Sequence, residues 1–165
     1  NGAKPVAMLT GQPEQHYLLS GSGGYGFIAK LADMVGRVKA GKVVMTVDSG
    51  ETVLPPIAVY ASSLINPDCK IVLASSDHRL LAFSIGELKV MPKGRGLQLI
   101  SLTDGASLEH VLVTTAAEFI VETVGKRGAA HQEKLRICDI DGKRGKKGKV
   151  LDVSGRLKTL SAASA

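Results

Sequence analysis

Tyr17–Leu31 reads YLLSGSGGYGFIAKL, and the reading of its glycines decides the fold. Gly21-x-Gly23-x-x-Gly26 follows an apolar run and precedes FIAKLADMVGRV, a formal match to the dinucleotide fingerprint of a Rossmann fold. Asp48 lies at a suitable distance for the acidic residue of that motif, and Phe27, Ile28, Leu31, Met34, Val35 and Val38 could line one face of a helix. The competing reading is a β-hairpin: two short apolar runs, Tyr17–Leu19 and Phe27–Leu31, split by a glycine-rich turn.

The remainder of the chain favours the hairpin. A parallel sheet needs strands alternating with long amphipathic helices, and no such alternation is present. What is present is a repeat. A shift of 54 residues sets Leu18, Leu19, Ser22, Leu31 and Asp33 on Val72, Leu73, Ser76, Ile85 and Glu87. One further residue sets Gly41 on Gly96. The equivalent of the glycine-rich turn is then SSDHR (Ser75–Arg79), which lacks the fingerprint. A third copy aligns at a shift of 39, placing Leu112 on Leu73, Thr114 on Ser75 and Ile120 on Leu81.

Each unit reads as a strand, a hairpin, a basic glycine-containing loop and a closing strand. In the first, Lys4–Leu9 is a strand, GRVKAGK (Gly36–Lys42) the loop and Val43–Val47 the closing strand. In the second, Val53–Tyr60 leads, Ile71–Ala74 and Leu80–Phe83 form the hairpin, and PKGRG (Pro92–Gly96) precedes Leu97–Leu102. The third is less regular: a hairpin of Val111–Thr115 and Phe119–Val124, two basic patches, and Val150–Val153 to close. The expected organisation is one all-β domain over residues 1–158, with repeats at 4–47, 53–102 and 108–153 and a disordered tail at 159–165. Three units of about four strands each point to a propeller-like array, in which every unit buries its faces against its neighbours.

Charge adds the functional direction. The 165-residue chain carries a net +6, yet Lys126–Lys158 alone holds eleven Lys/Arg against four Asp/Glu, so the preceding residues are close to neutral. The densest patch is GKRGKKGKV (Gly142–Val150). It offers no apolar face to bury, and its glycines let the backbone approach a partner closely. Equivalent loops recurring around one rim would form a positive track suited to a polyanion. The expected DNA-contacting residues are Arg37, Lys39, Lys42, Lys93, Arg95, Lys126, Arg127, Lys143, Arg144, Lys146, Lys147 and Lys149, with Lys30, Arg156 and Lys158 secondary.

Other chemistries find little support. His16, His78, His110 and His131 lack metal-site spacing, and no metal or cofactor is expected. Cys69 and Cys138 each lie in an apolar run and read as buried, reduced core residues. GRVKAGKV (Gly36–Val43) has Val43 where a P-loop needs a hydroxyl for magnesium. No apolar run reaches the length of a membrane span. The start at Asn1 reads as a segment of a longer polypeptide.

GYGFIAKLADMVGRVKAGK (Gly24–Lys42), MPKGRGLQLI (Met91–Ile100), VGKR (Val124–Arg127) and GKRGKKGKV together resemble the C-terminal domains of the A subunits of bacterial topoisomerase IV and its homologue gyrase. The resemblance implies a β-pinwheel, a propeller-like disc whose blades exchange strands and whose basic rim binds and bends duplex DNA. It implies an accessory domain of an ATP-dependent type II topoisomerase. ATP and magnesium would be used on other domains or on the B subunit, which would be reached through the rest of a dimeric A subunit. The domain itself would be monomeric, and the location cytoplasmic, on the bacterial nucleoid. The tyrosines follow His16, Gly24 and Val59 rather than the arginine that precedes the family's cleaving tyrosine, so no cleavage is expected of this chain alone. The chain has no glutamine-arginine-glycine box, which favours topoisomerase IV over the wrapping domain of gyrase. The alternatives are that gyrase domain, a β-propeller binding an acidic protein, and a nucleotide-dependent oxidoreductase built on Gly21–Gly26.

Overall fold

The computed structural model describes residues 4–152 and 155–163. Its strands are β1 (His16–Ser20), β2 (Tyr25–Lys30), β3 (Ile57–Val59), β4 (Lys70–Ser75), β5 (Arg79–Ser84), β6 (Leu97–Gln98), β7 (Leu108–Thr114), β8 (Glu118–Val124), β9 (Ala130–Arg136), β10 (Lys149–Val150) and β11 (Arg156–Ala162). Three antiparallel hairpins, β1–β2, β4–β5 and β8–β9, organise them. All three close with the same bond. Leu31 N–H donates to the Gln15 carbonyl at 2.8 Å, Ile85 N–H to Cys69 at 3.0 Å, and Ile137 N–H to Ala117 at 2.9 Å. A single helical turn follows each: Leu31–Met34, Ile85–Glu87 and Ile137–Asp139.

Each hairpin is completed by later chain. The first takes β3 on β1 and β6 on β2; the second takes β7 on β4 and β10 on β5; the third takes β11 on β8. Because β6 follows the second hairpin and β10 the third, each of the first two blades is finished by a strand from the next. This is a β-pinwheel, and its sheets draw strands from both sides of the linear repeat boundaries.

The middle hairpin shows why the sequence stacks this way. β4 is KIVLAS and β5 RLLAFS, apolar at almost every position because both sheet faces are covered. Ile71, Leu73 and Phe83 pack with Leu18 and Ile28 of the first blade. Val72, Ala74, Leu80 and Ala82 pack with Phe119 and Val121 of the third. Successive residues of one strand therefore serve two different cores, which locks the register. β9, AHQEKLR, is exposed along nearly its whole length, and among the described residues no strand pairs with its outer edge.

The 54-residue shift is structural, since His16 opposite Lys30 recurs as Lys70 opposite Ser84. The third copy differs from the sequence expectation. Val111–Thr115 fall on β7 and the turn after it, and β7 pairs with β4; the third hairpin is Glu118–Val124 with Ala130–Arg136. The polar β9 hid it, because an uncovered strand has no apolar alternation to read. The Gly21–Gly26 turn leads into a strand, and the helix beyond it is only four residues long.

Several outer strands are shorter than expected. Val53–Tyr60 contributes only Ile57–Val59 to β3, with Pro55 and Pro56 supplying no N–H to a ladder. Lys4–Leu9 forms no strand, and within Val43–Val47 only Met45 bridges, to Gly94. Leu97–Leu102 contributes Leu97–Gln98. The last closing strand is Lys149–Val150, with Val153 outside the described residues. Thr159–Ala162, expected in a disordered tail, are part of β11. That strand buries Leu157 and half-buries Leu160 against β8, across a bulge between Leu157 and Thr159. Ser164 and Ala165 lie outside the described residues.

Candidate nucleic-acid interface

The donated strands carry the basic loops into place. Val90 bridges to Ile28, Leu97 pairs with Gly26, and PKGRG spans the gap between those anchors on β2. Asp141 bridges to Ala82, Lys149 pairs with Leu80, and GKRGKKG spans the same gap on β5. Both loops are thus pinned at each end to the second strand of the preceding hairpin.

Main-chain bonds join neighbouring loops to one another. Gly94 N–H donates to the Val44 carbonyl at 2.9 Å, and Thr46 N–H to the Gly94 carbonyl at 3.0 Å. These tie the first loop segment to the second. Gly145 N–H donates to Leu99 at 2.8 Å and Ser101 N–H to Lys146 at 3.0 Å, tying the second to the third. Each of the second and third basic loops is thus bonded to the segment that follows the loop before it.

The expected contact residues divide into two groups. Arg37, Lys39, Lys93, Lys126, Arg127, Lys143, Lys146 and Lys147 are exposed, and among the described residues their side chains make no ion pair or hydrogen bond. Two flanking acids pair outside the third loop: Asp141 with Lys70 at 2.9 Å and Asp139 with Arg136 at 3.1 Å. The other four cations are engaged. Lys42 Nζ donates to the Asp33 carbonyl and Lys149 Nζ to the Asp139 carbonyl. Arg144 Nη1 donates to the Gln98 carbonyl at 2.7 Å, while its backbone N–H donates to Glu87 Oε2 at 3.0 Å. Arg95 meets Asp48 and Glu51. Of the secondary residues, Lys30 pairs with Glu14 and Lys158 with Glu122, while Arg156 is exposed and 3.8 Å from Glu109. Lys126 and Arg127 sit at the tip of the third hairpin, between β8 and β9, and not on a donated loop.

Residues that position the loops escape sequence reading because they act across the fold. Arg79 is one: its Nη1 reaches the Gly148 carbonyl at 3.4 Å and its Nε donates to Asp77 at 3.2 Å. Burial acts to raise the Asp77 carboxyl, but hydrogen bonds from Ser75, Thr103, its own backbone and Arg79 outweigh it and hold the group below the usual carboxylate range. Of the two cysteines expected in the core, Cys69 is buried but Cys138 is exposed, because the buried Ile137 and Ile140 of its turn direct it outward. Among the described residues no group of His, Cys, Asp and Glu could hold a metal ion, and no helix is long and apolar enough to cross a membrane.

No family model matches the chain. It is 68% identical over 162 residues to the A subunit of DNA topoisomerase 4 from Neisseria gonorrhoeae, covering 98% of this chain and 21% of that protein. It is 27% identical over 159 residues to the A subunit of DNA topoisomerase 4 from Escherichia coli strain K12, covering 91% of this chain and 20% of the relative. The chain therefore spans about a fifth of the length of the curated relatives it matches. Among solved structures, the E. coli ParC C-terminal domain superposes with a TM-score of 0.83 at 24% identity, over 97% of this chain and 65% of that one. The DNA gyrase A C-terminal domain superposes at 0.70 and 19% identity, over 93% of this chain and 50% of that one.

Proposed function

Because this chain belongs to the family of DNA topoisomerase IV A subunits, we propose that it is a DNA-binding and DNA-bending domain that positions duplex for strand passage. The observation that carries the proposal is the succession of main-chain bonds that lines the basic loops up in order: Gly94 of the second is bonded to Val44 and Thr46 after the first, and Gly145 and Lys146 of the third to Leu99 and Ser101 after the second. Lysines and arginines on such loops neutralise phosphates and release counterions, which gives affinity without sequence information. A curved rim favours duplex that bends easily, so selection acts on shape. The chain supplies no chemistry of its own in this role. Cleavage with magnesium and ATP hydrolysis would fall to other domains and to the B subunit. The chain would act as a monomeric disc within a dimeric parent protein, on the bacterial nucleoid.

The test is fluorescence anisotropy of labelled duplexes of about thirty base pairs, in two unrelated sequences, over a range of salt. We expect similar affinities for both and a steep salt dependence. Replacing Lys143, Lys146 and Lys147 with Gln should weaken both equally and flatten the slope of log K against log salt by about 0.9 per lost phosphate contact. An unchanged slope overturns the assignment of this loop to phosphate. Equal affinity for heparin, with no preference for curved or crossed duplex, would favour an acidic protein partner instead.

A further inference from the structure

Among the described residues, Arg95 is the expected DNA contact whose guanidinium both stacks on an aromatic ring and meets carboxylates. Its Cζ lies 4.0 Å from the centroid of the Tyr25 ring. Nη1 is 2.7 Å from Asp48 Oδ2 and Nη2 is 3.3 Å from Glu51 Oε1. One face is stacked and both terminal nitrogens face carboxylates, while Nε is buried without a hydrogen-bond partner among the described residues.

The seat is built into the hairpin tip. Glu51 is only 20% exposed, and its Oε2 accepts the Asp48 N–H at 3.0 Å. It occupies the space above Gly23, where a Cβ would stand 1.8 Å from Glu51 Oε1. Part of the glycine pattern in Gly21–Gly26 is thereby explained: Gly23 makes room for a carboxylate of the chain itself.

The next blade lacks this arrangement. Lys147 precedes Gly148 as Arg95 precedes Gly96, and Arg79 stands opposite Val150 as Tyr25 stands opposite Gln98. Where the first blade offers an aromatic face, the second offers a guanidinium, which repels a cation. Lys147 is exposed and, among the described residues, unpaired. Two cations at equivalent positions on successive loops therefore have opposite fates.

The geometry points to an acidic clamp: Asp48 and Glu51 compete with DNA phosphate for Arg95 and limit the grip of the first blade on duplex. This rests on the DNA-binding function proposed above. The clamp makes the loops unequal, with free cations concentrated on the third loop and Lys93 left as the available cation of the second. Asp48, at 59% exposure, is the arm a phosphate can displace; Glu51 is the fixed one.

The test is a cycle of four proteins: wild type, Asp48→Asn with Glu51→Gln, Arg95→Gln, and all three substitutions together. Each is titrated with the same duplex at several salt concentrations. Freeing Arg95 should tighten binding about three- to tenfold at low salt and steepen the salt slope by about 0.9, the value of one added contact. In the Arg95→Gln background the same acidic substitutions should give only the smaller gain of lost long-range repulsion, with no change in slope. If the double substitution lowers the melting temperature, Asp48→Asn alone, at the more exposed position, carries the same comparison. A gain of equal size with and without Arg95 overturns the clamp and leaves net charge as the cause. Weaker binding on removal of the acids also overturns it, and makes them positioning groups for Arg95. A wild-type chain that fails to bind duplex overturns the proposed function and this inference with it.

Discussion

A Cβ on Gly96 would stand 2.2 Å from the carbonyl oxygen of Gly26, and one on Gly148 would stand 2.5 Å from that of Leu80. Both glycines have positive φ, +88° and +74°, at the step where a basic loop becomes a strand of the preceding blade. Gly41 holds the corresponding place in the first loop at φ +82°, yet a Cβ there meets nothing within 4 Å. We expect Gly96→Ala and Gly148→Ala each to cost about 3 kcal/mol or more, combining backbone strain with a main-chain clash. Gly41→Ala should cost about 1 kcal/mol, the backbone term alone. Denaturant unfolding of the three variants checks this, and equal costs would contradict it.

Arg144 and Lys147 lie three residues apart but should behave differently. Arg144 ties the third loop to Gln98, so Arg144→Gln should destabilise by about 1.5 kcal/mol. Lys147 is exposed and, among the described residues, without a partner, so Lys147→Gln should stay within about 0.5 kcal/mol of wild type and act on DNA affinity alone. Thermal melts beside duplex titrations separate the two effects.

The depressed carboxyl of Asp77 predicts an acid-labile step. Its folded value lies below its unfolded one, so the contribution is complete above the unfolded carboxylate pKa of about 3.9 and is lost as pH falls through the lower folded value. Asp77→Asn should melt lower than wild type at neutral pH, with the gap closing as pH drops through that window. A gap that stays constant with pH would assign the loss to packing rather than ionisation.

The two thiols give a simple check of the fold. Cys138 is exposed and Cys69 is buried, with burial pushing its thiol pKa up. A thiol-reactive probe should therefore label one site promptly in the native chain and the second only on unfolding. Cys138→Ser should remove the fast phase. Fast labelling of both would mean that the β4–β5 hairpin opens at its base.

Legibility in the sequence follows burial. The first two hairpins are readable because β1, β2, β4 and β5 are covered on both faces and their apolar runs repeat at 54 residues. The third is displaced in the sequence reading because β9 is exposed along nearly its whole length, so its composition, AHQEKLR, carries no strand signal. Of the site, the loops are visible as charge and glycine, but the division of their cations is not. Nothing in local spacing tells Arg95 from Lys147, because the difference lies in Tyr25 and Arg79 on other strands and in Glu51, 44 residues from Arg95. Asp48, which suggests a ribose ligand in the sequence, is instead a partner of that arginine.

The outer edge of β9, which no strand covers among the described residues, bears on how copies of the molecule meet. An uncovered edge is a row of free N–H and C=O groups, a template on which another molecule's edge can extend the sheet into a fibre. His131, Glu133, Lys134 and Arg136 line this strand, and Lys134 is drawn aside to Glu118. A second edge approaching it would have to strip water from those charges before forming its first rung. Replacing Glu133 and Lys134 with Val would lower that barrier, and the molecule should begin to associate edge to edge into aggregates.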